Sequence, residues 1–156
     1  MPVYLVRHAH AGNRSQWKGP DAERPVSERG AAQARALADE LADAGVRRVV
    51  ASPTERCIQT VVPLAERLGL EVRTRKLLAA DADPDAAIAY LVAHADEHPV
   101  LCSHGELIPK VIGRLVSRGM KTKAAVAAEK ASVWVLDVEG GRVVRGRYLP
   151  PPKLRG

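Results

Sequence analysis

The sequence predicts an α/β fold: a three-layer α/β/α sandwich around a mostly parallel central sheet. Three observations predict it. Short apolar runs at Val3–Val6, Val46–Ala51 and Val100–Ser103 read as buried strands. Helix-forming stretches separate them, and strands alternating with helices build parallel sheets. The residues directly after these runs are polar and reactive: Arg7 and His8, then Ser52 to Arg56, then Ser103 and His104. Open α/β sheets bind ligands beyond the carboxyl ends of their strands, so all three groups belong on one rim.

Taken in order, Val3–Val6 opens the sheet, and Ala9–Pro25 is polar and rich in Gly, Asn and Pro, hence a long loop. Loops of that length inside a domain are usually functional. Ser27 is an N-cap for a helix over Ala31–Ala44 that Gly45 closes. After the strand at Val46–Ala51, a helix from Thr54 to Leu68 ends at Gly69, and Pro63 inside it should kink or split it. Leu70–Thr74 is a short edge strand, and Leu77–Pro84 is an Asp-rich loop. Pro84 opens a helix that runs to about Glu97. Following the strand at Val100–Ser103, Gly105 begins a helix to about Arg118. The segment Lys121–Lys130 is ambiguous between helix and exposed loop. Ser132–Val138 and Arg142–Arg147 flank Gly140-Gly141 as a hairpin. Residues 1–149 read as one domain and 150–156 as a Pro-rich extended tail.

Composition narrows the function. With 46% hydrophobic and 27% charged residues, the 156-residue chain is ordinary globular protein. No apolar run approaches membrane-spanning length, and the N-terminus lacks signal-peptide character, so a cytoplasmic protein is expected. Cys57 and Cys102 are isolated thiols. The net charge is +6, with 17 arginines against 7 lysines. Aromatics are only 3%, and no dense basic tract exists, so a nucleic-acid polymer is not the expected partner. A small anion held by a few arginines accounts better for the charge.

Two histidines and two arginines meeting on one rim suit a phosphoryl group. Arginine's planar fork matches phosphate oxygens and never deprotonates. A neutral histidine nitrogen attacks phosphorus without first losing a proton. Taken singly, each residue has a plainer reading: His8 and His104 as hydrogen-bonded strand ends, Arg56 as a surface charge.

The motifs also carry a resemblance. Leu5-Val6-Arg7-His8-Ala9 resembles the signature of the histidine phosphatase superfamily, the phosphoglycerate-mutase-like fold, with Ala9 where Gly is commoner. Arg24-Pro25-Val26-Ser27-Glu28-Arg29-Gly30, Ser52-Pro53-Thr54-Glu55-Arg56-Cys57 and Ser103-His104-Gly105-Glu106 resemble its further motifs, in the family's order. The short length is similar to the SixA-type branch. The loop Trp17–Asp21 and the strand Ser132–Leu136 are most like the phosphatase domain of Nudix–histidine-phosphatase fusion proteins.

This resemblance implies a phosphatase working through a phosphohistidine on His8. Arg7, Arg56 and His104 would hold the phosphoryl oxygens, and Arg14, or alternatively Asn13, would add a contact. Ser103 and the backbone at Gly105 and Glu106 would favour an anion. No cofactor or metal is implied. The family's acid is often a Glu after the third strand, where this chain has Asp81, Asp83 and Asp85. Asp81 fits best by position, although these aspartates equally suit a helix N-terminus. The implied partner is a phosphorylated small molecule, a nucleotide or a phosphohistidine protein; mutase activity is not expected.

Two other readings remain open. One is a non-catalytic phosphate-binding module. The other is a metal-dependent hydrolase using His8 and His10 with Asp21 or Asp81. His94 and His98 at i, i+4 spacing read as a solvated helix face, Trp134 as core and Trp17 as a cover over the site.

Overall fold

The computed structural model describes residues 1–154; the last two residues of the expected tail lie outside the described residues. Six strands form one sheet: β1 (Pro2–Arg7), β2 (Val49–Ala51), β3 (Val72–Thr74), β4 (Val100–Ser103), β5 (Val133–Glu139) and β6 (Arg142–Leu149). Their order is β3-β2-β4-β1-β5-β6. The first four strands run parallel, and β5 and β6 join antiparallel beside β1. Four helices cover the sheet: α1 (Glu28–Leu41), α2 (Glu55–Leu68), α3 (Pro84–Ala93) and α4 (Ile108–Ser117).

Alternation along the strands divides the core in two. Val3 and Leu5 of β1 join Leu101, Trp134 and the apolar faces of α3 and α4. Tyr4 and Val6 join Val49, Cys102 and the faces of α1 and α2. The expected three layers follow from this two-sided burial. Trp134 is core, as expected, and its Nε1 donates to the Ala127 carbonyl at 2.7 Å.

The layering also locates the functional rim. From β1 the chain moves outward to β2 and β3 under α1 and α2. From β4 it moves the other way to β5, with α3 and α4 on the opposite face. The direction reverses between β1 and β4, which is where open α/β sheets leave a crevice. Arg7 and Ser103 are register partners at that point, so His8 and His104 emerge side by side.

Several expectations need correction. The helix expected from Ala31 starts earlier, at Glu28, because Ser27 Oγ accepts the Gly30 N–H at 3.1 Å and caps it there. β2 holds only Val49–Ala51; just before it the Arg47 N–H donates to the Glu97 carbonyl, and the Arg48 carbonyl accepts from the N–H of Val100 at the start of β4. α2 is not split at Pro63, although an interior proline costs about 3 kcal/mol. Burial of Val61, Leu64 and Ala65 against the sheet outweighs that cost. α3 stops at Ala93, and the left-handed His98 follows a short 3₁₀ turn. His94 and His98 therefore do not share a helix face: His94 lies 3.7 Å from Glu97, and His98 Nδ1 bonds to the Pro2 carbonyl at 3.3 Å. Between β4 and α4 the chain first turns, with Leu107 and Ile108 bonding back to the His104 carbonyl. Lys121–Lys130 forms no helix; Lys121 bridges to Arg145 beside the sheet edge. Residues 150–154 carry no helix or strand, and Pro152, Lys153 and Leu154 line a hollow together with residues of α1. Among the described residues no helix is long and apolar enough to cross a membrane.

Candidate active site

His8 leaves the end of β1 and is held by backbone on both sides. Its N–H bonds to the Ser103 carbonyl at 3.0 Å, and the Ala9 N–H donates to Thr60 Oγ1 of α2 at 2.9 Å. The ring Nδ1 sits 2.9 Å from the Ala9 carbonyl. A carbonyl only accepts, so Nδ1 carries the proton and Nε2 of the neutral ring keeps its lone pair. Burial, followed by the fields of Arg56, His104 and Arg7, pulls the His8 pKa down to about 3, against the opposing effect of its bond to Ala9. A ring that is neutral at physiological pH, with Nε2 free, is what nucleophilic attack requires.

His104 packs edge-on against His8 with ring centroids 5.5 Å apart. Its Nε2 bonds to Ser52 Oγ at 2.8 Å, with Cys57 Sγ 3.6 Å away, while its buried Nδ1 has no partner. Arg7 is anchored through Nη1 to the Ala128 carbonyl at 2.6 Å, and Arg56 through both Nη atoms to Asp21. The Nε atoms of both arginines are buried and unpartnered. Native structures rarely leave such groups unpaired; among the described residues the three nitrogens belong to side chains flanking His8, and the fourth such atom is Thr54 Oγ1 at the start of α2. Gly105 is fixed by the same packing, because a Cβ there would lie 2.7 Å from Arg7 Cζ.

His8 opens onto a cavity of about 540 Å³ whose wall includes Arg7, Arg14, Arg24, Arg56, Lys130 and Glu106. The loop after β1 forms much of it. Gly30 lets that loop lie on α1, since a Cβ there would overlap the His10 carbonyl oxygen. His10 Nδ1 and Ser27 Oγ share a 2.6 Å bond, and the His10 N–H donates to Gln33 Oε1 at 2.9 Å. Burial, then Lys130 and Arg29, lowers the pKa of His10. Burial, then the neighbouring arginines, lowers that of Lys130.

Of the residues expected from sequence, His8, Arg7, Arg56, Arg14 and Asn13 line this cavity, and His104 stands directly behind His8. Asn13 accepts from the Ser15 N–H and caps a short turn. Gly105 sits behind Arg7. Ser103 is turned away, since its fully buried hydroxyl donates to the Leu78 carbonyl at 2.6 Å. Asp81 is exposed and does not line the cavity, and Asp83 caps α3. Asp85 binds Arg114 and Arg118, which hold its carboxyl below the usual range. Trp17 walls a neighbouring hollow, so it does not cover His8. The metal reading finds no cluster: among the described residues no three His, Cys, Asp or Glu groups converge, and Asp21 is occupied by arginines.

Sequence reasoning overlooked Glu106 and Lys130 as wall residues, Ser52 behind His104, and Asp21 with Arg24. Glu106 directly follows His104-Gly105, and Asp21 precedes Arg24 by one helical turn; both spacings were signals.

Fold and site together define an α/β protein with a neutral histidine set among arginines at the sheet's switch point. The profile of the histidine phosphatase superfamily (branch 1) matches residues 3–80, half of the chain. The chain belongs to that superfamily. It is 37% identical over 155 residues to an 8-oxo-(d)GTP phosphatase of Mycolicibacterium smegmatis, covering 96% of this chain and 48% of that protein. The chain thus spans about half the length of that relative. Among solved structures, the protein histidine phosphatase SixA in complex with tungstate superposes with a TM-score of 0.76 at 22% identity, covering 96% of this chain and 94% of that one. A putative SixA of Nakamurella multipartitia gives a TM-score of 0.74 at 24% identity and covers 97% of each chain. At these identities the two structures speak to the fold.

Proposed function

We propose that the chain is a phosphatase that passes the phosphoryl group of its substrate through His8 Nε2 to water. The observation that carries this reading is the neutral, Nδ1-protonated His8 among three side chains with unpartnered buried nitrogens. In the first step Nε2 forms the N–P bond, and the leaving oxygen departs with the P–O bonding pair. In the second step water attacks phosphorus, the N–P bond breaks, and phosphate is released. Arg7, Arg56 and His104 hold the equatorial oxygens of the loose transition state. The five cations on the cavity wall supply the positive charge, and the described residues offer no metal cluster. Glu106, on the wall, is the carboxylate placed to protonate the leaving oxygen; Asp81 is not.

Arg7, Arg14, Arg24, Arg56 and Lys130 exceed what one phosphoryl group requires. This favours a phosphorylated small molecule with a second anionic group, a nucleoside polyphosphate above a simple monoester. The named activity of the M. smegmatis relative agrees with this choice. Phosphate release should be measured from nucleoside mono-, di- and triphosphates, a sugar phosphate and a phosphohistidine peptide, for wild type and His8→Ala. Preference for the nucleoside polyphosphates supports the reading. Preference for the peptide assigns a protein substrate, and turnover that survives His8→Ala rejects the mechanism.

A further inference from the structure

Among the described residues, Asp21 is the one acidic side chain in an ion pair with the arginines of the site. Its carboxylate receives three of them. Arg14 donates through Nε and Nη2 at 3.2 and 3.1 Å, and Arg24 through Nε at 3.1 Å. Arg56 donates through Nη2 at 3.0 Å, and its Nη1 reaches the Asp21 backbone carbonyl at 2.8 Å. Arg24 is further tied to the Ala11 carbonyl at 2.7 Å, so the loop is anchored at both ends of this cluster. Arg56 is almost wholly buried, yet both of its Nη atoms are engaged by this single loop residue. Without Asp21 its fork would lose the carboxylate and keep only the backbone contact.

We infer that Asp21 is a positioning residue: it fixes the Arg56 guanidinium so that the remaining edge meets the transferring phosphoryl group. This inference rests on the phosphatase reading of the same site. Because Asp21 is negative, it weakens the cavity's ground-state attraction for anions while sharpening the geometry of Arg56. Its contribution therefore appears in the transition state, not in substrate binding. A guanidinium held in register is worth more to a planar, spreading charge than one free to rotate.

Asp21→Asn keeps the shape but turns an NH₂ donor toward three donors. We expect kcat to fall at least tenfold with KM unchanged or lowered, and Asp21→Glu to recover part of the loss. Affinity for orthovanadate, which imitates the five-coordinate phosphorus, should fall at least tenfold, while affinity for inorganic phosphate stays within threefold of wild type. In an Arg56→Lys background, Asp21→Asn should cost less than threefold further, because the residue acts through Arg56. Equal losses for vanadate and phosphate, or full additivity with Arg56→Lys, would overturn the inference. Circular dichroism checks folding, and Asp21→Ser repeats the series if the Asn variant unfolds. If wild type hydrolyses no phosphate ester, the phosphatase reading fails, and the two binding measurements still decide whether Asp21 tunes Arg56.

Discussion

Gly105→Ala tests the placement of Arg7 without touching its charge. An added Cβ would stand 2.7 Å from Cζ, 2.9 Å from Nη2 and 3.0 Å from Nε of Arg7. Carbon pairs rest at about 3.5–4.0 Å, so the guanidinium must retreat by about 0.8 Å or more. It cannot simply swing aside, because Nη1 is anchored to the Ala128 carbonyl at 2.6 Å. A misplacement of about 1 Å at a reacting centre can cost ~10²-fold, so kcat/KM should fall about 10- to 100-fold. Stability should hold, since Gly105 has no left-handed backbone and alanine restricts the unfolded chain. The assay is steady-state hydrolysis of an aryl phosphate, with Tm from calorimetry, for Gly105→Ala, Arg7→Ala and the double variant. If the arginine mediates the loss, the alanine should cost less than twofold in the Arg7→Ala background. Activity within threefold of wild type, or an equal loss without Arg7, would refute the assignment of Arg7 to the phosphoryl group.

Four further predictions rest on the same geometry. His8→Ala should abolish turnover, and wild type quenched under alkaline denaturing conditions should carry an acid-labile phosphoramidate on His8; label on His104 instead would move the nucleophile. With the His8 pKa lowered to about 3, the acid limb that this nucleophile sets in kcat/KM should lie near pH 3–4, not near the ordinary histidine value. The unfolded chain binds the His8 proton below about pH 6.5 and the folded chain only near pH 3, so this residue's contribution to stability declines as pH falls between them. Glu106→Gln should slow an alkyl phosphate ~10²-fold or more and an aryl phosphate far less, because the aryl oxide leaves as a weak base, whereas Asp81→Asn should slow neither. Finally, EDTA should leave turnover unchanged; loss on chelation with recovery on Zn²⁺ or Mn²⁺ would return the metal reading.

The rim was legible because strand ends are written in short apolar runs followed by reactive residues. Arg7 ends β1, and His8, Arg56 and His104 lie one to five residues beyond a strand; the backbone itself delivers them to the crevice. Asp81 failed for the same reason in reverse. Its place in the loop after β3 was clear, but which way that loop faces depends on Asp83 capping α3 and Asp85 pairing with Arg114 and Arg118. Ser103 shows a further limit: a strand-end serine can face the ligand or the core, and the Leu78 carbonyl decides it. Pro63 read as a break because local propensity says so, but tertiary burial of the flanking residues prevailed. The partnership of Asp21 with Arg14, Arg24 and Arg56 joins residues up to 35 positions apart, and periodicity carries no such information.

That partnership also explains how the fold tolerates this much like charge near one histidine. Five cations share the cavity wall, and isolated buried charge is costly unless paired. Asp21 answers three of them and Glu106 stands beside them, but Arg7 has only the Ala128 carbonyl. The Nε atoms of Arg7 and Arg56 and the Nδ1 of His104 remain without acceptors. The folded site therefore carries an unmet demand for acceptor oxygens. Burial keeps His8 neutral in the first place, and the fields of Arg56, His104 and Arg7 add to it. Binding and activation thus share a contribution: the field of Arg7 and Arg56 that would draw the phosphoryl group in also reinforces the burial that leaves the nucleophile's lone pair free.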